Sequence, residues 1–459
     1  MNAAANDEAY VLLDKQSPQG TSCTSSCVTL DTPTTDSPLT RDRIEMLGTK
    51  IMLADRDDDA NLDMFCYIKC DEKENETIKQ CRGVVFNGKT LVMRGFPYTI
   101  DCDTTRKDVF DEYDFSTFRF FEAHEGTLIR MFYFDDKWYV TTHRKLNAYR
   151  SKWASRESFG QYFQNAIEWN AENNAALKAA LPDATDENDT LMDRFKRTLD
   201  TSKQYMFLLR NSSTNRIVCR PPPHPTVYHV GTFVDDTLTL DDDIHIPHPK
   251  ELTFDTAADL FEAADEMPYQ EYQGVIAFSK DNVQIKVVSV DYQYLFNVRG
   301  NEPSIRYRYL QVRHDHEMHE ALSFLYPEMV QSFEEYERYL GDITRFIYRS
   351  YVNRFIKKQF VTVPQEEYAV MRECHQWHLS DKRNNHISID MVGRILNRQT
   401  PTQLNRMIRR LRLERNAASA PNRGNAQSPL QGTSLHVMST SPLVISTAKP
   451  PNDIPPTTI

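Results

Sequence analysis

Between residues 80 and 300 the chain is a succession of short runs in which apolar and polar positions alternate. They are CRGVVF (81–86), TLVMRGF (90–96), TLIRMFYF (127–134), KWYVTT (137–142), YMFLLR (205–210), RIVCR (216–220), TVYHVGTFV (226–234), QGVIAFS (273–279) and VQIKVVS (283–289). A period of two with β-branched and aromatic enrichment predicts β-strands. The 127–142 pair is joined around Asp135-Asp136-Lys137, which predicts a hairpin. Helical patterns interrupt the strands at 156–181 and 187–203, without a regular strand–helix alternation. The prediction is therefore an α+β fold built on antiparallel sheets.

After residue 303 the period changes. Residues 305–360 carry Tyr307, Tyr309, Phe324, Phe333, Tyr336, Tyr339, Phe346, Tyr348, Tyr351 and Phe355 at helical spacing, which predicts long helices with an aromatic core stripe. Pro364 and DKRNNH (381–386) punctuate shorter helices up to about 415. Residues 1–40 and 416–459 are rich in Ser, Thr, Asn and Pro, and the latter stretch holds 7 of the 23 prolines. Such composition does not offset the entropy of ordering, so both are expected to be flexible arms. The expected organisation is an arm at 1–40, a β-rich domain at 41–302, a helical C-terminal domain at 303–415 and a tail at 416–459.

Composition narrows the classes. In 459 residues there are only 14 glycines, which argues against Gly-rich architectures. No run approaches the roughly 18 apolar residues of a membrane helix, so no membrane partner is expected. The N-terminal MNAAANDEAYVLLDKQ has early acids and lacks a basic-then-apolar pattern, so no secretory signal is read there. Eight cysteines in such a chain are expected as reduced thiols of an intracellular protein, in cytoplasm or nucleus. The CxxxC pairs Cys23/Cys27 and Cys66/Cys70, with Cys81 following, lack zinc-site spacing, and no metal is expected. The formal net charge is −11, yet residues 343–415 hold 15 Lys and Arg against 6 Asp and Glu, while residues 1–80 hold 8 against 16. A basic module on an acidic protein fits a localised polyanion contact, and a solvated helical face fits it as well.

Candidate chemistry comes from the order of five segments: CRGVVF at 81, FEAHEGTLIR at 121, FLLRNSSTNRIV at 207, YQGVIAF at 272 and QIKVVS at 284. Together they resemble the nucleotidyltransferase domain of phage-type RNA ligases, within the superfamily of DNA ligases and capping guanylyltransferases. The resemblance covers roughly 80–300, and the helical block follows where such RNA ligases carry an all-helical domain. Degenerate proteins of this look also occur in large DNA viruses, so a viral source, and a host-cell location, are expected. The resemblance implies a lysine that attacks the nucleotide α-phosphate, carboxylates for metal or ribose, and paired lysines that neutralise phosphates.

Carried over residue by residue, the resemblance implies an empty set of catalytic groups. The nucleophile motif falls on Ala123-His124-Glu125-Gly126-Thr127, with alanine where the lysine belongs. The third motif falls on Phe207-Leu208-Leu209, followed by Asn215-Arg216-Ile217-Val218, with Leu208 in place of glutamate. The fourth falls on Gln273-Gly274-Val275-Ile276 and the fifth on Gln284-Ile285-Lys286, so that Gln273 and Gln284 replace a glutamate and a lysine. The reading is a kept fold with a dismantled site: no catalytic residue, metal or cofactor, and binding of RNA or nucleic-acid ends, or of a protein partner. Arg82, Glu125, Gly126, Arg130, Arg144, Arg216 and Lys286 are the expected nucleotide- or RNA-binding positions, arginine forks being suited to phosphate oxygens. Surface or interdomain ion pairs are the plainer role for each. One alternative is an active ATP- and Mg-dependent ligase with a relocated nucleophile, His124, Lys137 or Lys145. Against His124 stands the alternation of a strand, which turns the residue after Ala123 to the other face. A second alternative is a viral scaffold or assembly protein that uses the fold only as a rigid body. His314–His319 and Cys374–His378 hold ligand types but no convergent third or second half-site, and are read as a helix start and as packing.

Overall fold

The computed structural model describes residues 39–419, so most of the two expected arms lies outside it. Residues 416–419, expected in the tail, continue a helix that runs over Pro401–Ser419. Described residues up to Arg409 form one compact unit, and those from Arg410 belong to a second. No described helix is long and apolar enough to cross a membrane.

Strands β1 (Ile51–Asp57), β2 (Leu62–Tyr67), β3 (Arg82–Asn87) and β4 (Thr90–Met93) form an antiparallel meander. Strands β5 (Thr99–Asp103) and β6 (Arg119–Ala123) begin a sheet that the chain completes much later. Between them and its completion come β7 (Gly126–Phe134), β8 (Lys137–Thr141), β9 (Lys203–Arg210), β10 (Val227–Val234) and β11 (Thr237–Thr239), ordered β11-β10-β9-β7-β8. Finally β12 (Glu251–Leu252), β13 (Gly274–Phe278) and β14 (Gln284–Val288) close the third sheet as β12-β6-β13-β14-β5. Helices follow at Val290–Arg299, Ile305–Val312, His316–Leu325, Val330–Tyr351, Gln365–Ser380 and Ile389–Asn397.

The α+β class with a helical block after the sheets is thus as the pattern predicts, with two differences. The third sheet is mixed, because β14 runs parallel to β5, a pairing open to strands separated by more than 180 residues. The run 216–220 is not a strand: the N–H groups of Ile217, Val218 and Cys219 go to a side chain, as described below, and not to a neighbouring ladder. The 127–142 hairpin forms with Asp135 and Asp136 as its two-residue turn, both at positive φ (49° and 57°), a turn that asparagine and aspartate tolerate.

Period-two alternation decides what each face of the third sheet does. Phe120, Val275, Ala277, Ile285 and Val287 point outward and are buried beneath the helix Ala257–Glu266 with Leu260 and Phe261. Phe121, Phe278 and the partly buried Ile276 point to the other side, into the core shared with Phe96, Met206 and Phe233. Cys66, Cys70 and Cys81 are buried thiols, the last two in the core of the first sheet, and burial pushes Cys70 and Cys81 up to about 12. Cys23 and Cys27 lie outside the described residues.

The glycines of the candidate motifs are demanded by backbone packing. A Cβ on Gly274, where φ is +145°, would stand 2.1 Å from the carbonyl oxygen of Val287 on β14. On Gly126 it would stand 2.4 Å from that of Leu209 on β9. Gly393, within a helix, is different: a Cβ there meets Thr344 at an ordinary 3.7 Å. Gly274→Ala is therefore expected to cost about 1–3 kcal/mol, whereas Gly393→Ala should stabilise by about 0.5–1 kcal/mol. Urea midpoints of the two variants check this; shifts in the same direction would contradict it.

Candidate functional site

The two five-stranded sheets enclose a cavity of about 150 Å³. Each sheet delivers motif positions to it: β6 ends on Ala123, β9 presents Leu208, and β14 presents Gln284 and Lys286 from the face opposite Ile285. Gln273, immediately before β13, completes the set. Ala123, Leu208, Gln273 and Gln284, separated by up to 161 residues in the chain, thus meet at one cavity.

Chemically the cavity is mainly apolar, with Phe96, Phe121, Leu128, Leu208, Ile276 and Phe278 in its walls. Four of its polar side chains, Lys286, Arg82, Gln284 and Gln273, have partners within the wall. Lys286 places Nζ 3.0 Å from Asp101 Oδ1. Arg82 Nη1 donates to the Pro97 carbonyl and the Thr99 hydroxyl, both at 3.2 Å. Thr99 in turn donates to Gln284 Oε1 at 3.2 Å. Gln273 Nε2 donates to the Tyr292 hydroxyl at 2.7 Å. Glu122 is the carboxylate of the lining, and burial raises its pKa. Among the described residues no group of three or more His, Cys, Asp or Glu could hold a metal ion.

His124 corrects the sequence argument. Strand β6 stops at Ala123, so alternation no longer applies to the next residue, and His124 lines the same cavity as Ala123. Its ring stacks on Tyr228 with centroids 5.0 Å apart at 15°. Arg210 Nη1 lies 3.1 Å from Nδ1, and since a guanidinium only donates, that nitrogen is the acceptor and Nε2 carries the proton. Burial, seconded by the Arg210 cation, pushes the imidazole down to about 3. The neutral ring is thus held with its one lone pair already engaged.

Of the expected binding positions, Arg82, Gly126 and Lys286 line the cavity, while Glu125, Arg130, Arg144 and Arg216 do not. Glu125, 2% exposed, accepts from Ile217 N at 3.1 Å on Oε2, and from Val218 N (2.6 Å), Cys219 N (2.9 Å) and the Tyr292 hydroxyl (3.0 Å) on Oε1. That is why 216–220 is a strap and not a strand. Arg130 is fully buried; its Nη1 donates to the carbonyls of Arg82 (3.0 Å) and Gly83 (2.8 Å), and Nη2 to that of Thr142. Burial pushes its pKa down to about 9. Arg144 is hydrogen-bonded to the buried Cys66 thiol. Arg216 faces the helical block: Nη2 donates to the Leu325 carbonyl at 2.6 Å and meets Glu328 at 3.1 Å, with the guanidinium over the Tyr326 ring. The sequence reading missed Tyr292, Thr99 and Asp101, which fix the cavity's polar groups. It also missed His143, His229 and His248, which line it. Of the other alternative nucleophiles, Lys137 pairs with Asp57 at 3.3 Å, and neither it nor Lys145 lines the cavity. The helix starting at His316 is capped by Asp315, and the His375 ring packs on Phe355 at 3.9 Å.

No model of a known protein family matches the chain. Among solved structures it is similar to an archaeal ATP-dependent RNA ligase, at 11% identity and a TM-score of 0.36, covering 65% of this chain and 73% of that one. It is also similar to the Naegleria gruberi RNA ligase with PPi, at 13% identity and a TM-score of 0.26, covering 40% and 52%. Scores of that size carry no argument about this chain. Curated viral proteins are also similar in sequence. An immediate-early protein ICP-46 homolog of Invertebrate iridescent virus 6 is 27% identical over 381 residues, covering 76% of this chain and 80% of that protein. One of Invertebrate iridescent virus 3 is 29% identical over 293 residues, covering 62% and 61%. The chain thus spans about half the length of the Naegleria ligase and about three fifths of the second viral protein. The expectation of viral relatives is met.

Two outcomes follow from the site's geometry. Glu125→Gln keeps one acceptor oxygen and turns an NH₂ toward backbone donors, so it is expected to cost about 3 kcal/mol in urea unfolding; a loss near zero would show that the strap does not depend on the carboxylate. His124, depressed to about 3 from a usual 6.5, favours the fold when neutral. Its contribution is complete above pH 6.5 and is lost as pH falls from 6.5 toward 3. His124→Gln should therefore show a shallower loss of stability than the parent across that window, and parallel pH profiles would contradict the assignment.

Proposed function

We propose that this chain has a ligase-like nucleotidyltransferase fold that binds RNA or nucleic-acid ends without forming a covalent nucleotidyl intermediate. The observation that carries this reading is the convergence of Ala123, Leu208, Gln273 and Gln284 on one cavity. Motif order alone selected these positions, and their meeting at one site supports the reading.

The donor set argues against nucleotidyl transfer. Covalent capture needs an amine or imidazole lone pair facing the phosphate. Ala123 has none, Lys286 is paired with Asp101, and His124 has its lone pair engaged by Arg210. A divalent metal needs oxygen ligands, and Leu208 supplies none where the resemblance puts a glutamate. Glu125 directs its oxygens to four donors in the wall. The residues therefore do not fit a metal–triphosphate, and no step through one is derived. Arg82 and Lys286 supply positive charge at the cavity, and the cation excess of residues 343–415 supplies a second basic region.

Intact-mass measurement of the full chain after incubation with ATP, and separately GTP, with magnesium or manganese is expected to show no nucleotidyl adduct. Binding to short RNA is expected to weaken steeply with salt, because phosphate contacts release counterions. An adduct would overturn the non-covalent reading. A folded sample without RNA affinity at low salt would leave the fold as a rigid scaffold for a protein assembly.

A further inference from the structure

We propose that the turn between residues 352 and 360 in the helical block is a contact surface for single-stranded nucleic acid. In it Phe360 stacks on a base, and Lys357 and Lys358, with Arg349 one turn earlier, take phosphates. The proposal rests on the nucleic-acid-binding reading above and names a surface outside the cavity.

The backbone here departs from regular helix twice within a few residues. The helix Val330–Tyr351 runs into a turn of π-helix over Val352–Ile356, closed by Lys357 N donating to the Val352 carbonyl at 2.9 Å. Lys358 then adopts a left-handed conformation, φ +57°, which a lysine takes only against steric resistance. Both departures are of the kind that collect at functional sites. The inner side of the turn is firmly anchored: Tyr351 is buried, Phe355 stacks on His375 at 3.9 Å and 17°, and Arg354 lies over the Tyr368 ring at 5.2 Å.

The outer side is the unusual part. Phe360 is 86% exposed and Ile356 65%, next to the exposed Lys357 and Lys358. An anchored turn that holds a phenyl ring in water forgoes the burial that ordinarily positions phenylalanine. Its cations are uncompensated as well. Among described residues 343–409, Arg345 is the cation with a carboxylate within 4 Å, Asp342, and neither lysine nor Arg349 has one. Unpaired cations beside an exposed ring suit a single strand, whose bases each offer a π-face and whose phosphates are regularly spaced. Double-stranded nucleic acid would hide its bases from the ring. An acidic protein segment would use the lysines but would accept any apolar side chain at 360.

The test is fluorescence anisotropy of a short labelled oligouridine with the full chain over a range of salt, comparing parent, Phe360→Ala, Phe360→Leu, Phe360→Trp and the double variant Lys357→Ala/Lys358→Ala. All these side chains are exposed, so the core is untouched. Phe360→Ala is expected to weaken binding about tenfold or more at every salt concentration without changing the salt slope. Phe360→Trp should retain affinity and Phe360→Leu should not. The lysine double variant should reduce the slope of log K against log salt by about 1.4. Parent-level binding that survives both Phe360→Ala and the lysine double change overturns this surface and leaves the nucleic-acid reading standing. Leucine binding as well as phenylalanine overturns base stacking. A parent with no salt-dependent affinity removes the nucleic-acid reading itself, and this surface with it.

Discussion

A buried carboxylate must find donors, and the one at Glu125 finds three consecutive backbone N–H groups and a phenol. Unmet, those groups would each cost about 1–3 kcal/mol. Met, they pin the segment 217–219 against the end of β6 and bind the start of the helix Val290–Arg299 to it through Tyr292. The same segment is held from its other side by Tyr326, whose hydroxyl donates to the Ile217 carbonyl at 2.6 Å and accepts from Arg299 Nε at 3.1 Å. The strap is thus a seam between sheets and helices, with the Glu125 carboxylate and the Tyr326 hydroxyl as its two anchors.

Arg130 performs the complementary task on the next strand. It is a buried cation whose named partners are carbonyls, and it ties β3 and the turn after β8 to β7. Because backbone dipoles neutralise both Glu125 and Arg130, neither charge is left to face the cavity. What remains there is a mainly aromatic and aliphatic lining with amides and imidazoles, beside Arg82, Glu122 and a Lys286 already paired with Asp101. Such a lining suits neutral or flat chemical groups better than a chelated polyphosphate.

Much of this was legible in the sequence and some of it was not, for a common reason. Strands β7, β8, β10, β13 and β14 announce themselves because one face is apolar and the next residue is not. The cavity is legible because motif order fixes which residues come near one another. The roles of Glu125 and Arg130 are not, because their partners are backbone groups, which have no residue type to read. Residues 216–220 have strand composition, and only the presence of a carboxylate 92 positions earlier makes them a strap. His124 escapes alternation because its strand ends one residue before it, and strand ends are poorly marked by composition.

The direction of the hydrogen bonds around Tyr292 has a consequence for how this chain can change. The phenol gives its single proton to Glu125 and can only accept from residue 273, where an amide NH₂ supplies the donor. A carboxylate at 273 would bring a second acceptor to an oxygen that has no proton left, beside a buried negative charge. Acidity at that position becomes tolerable only after Tyr292 or Glu125 has changed, and a change at Glu125 releases the strap. The order of mutational steps is therefore constrained. The glutamine is locked in by its neighbours, and any route to a carboxylate there must first pass through a less stable protein.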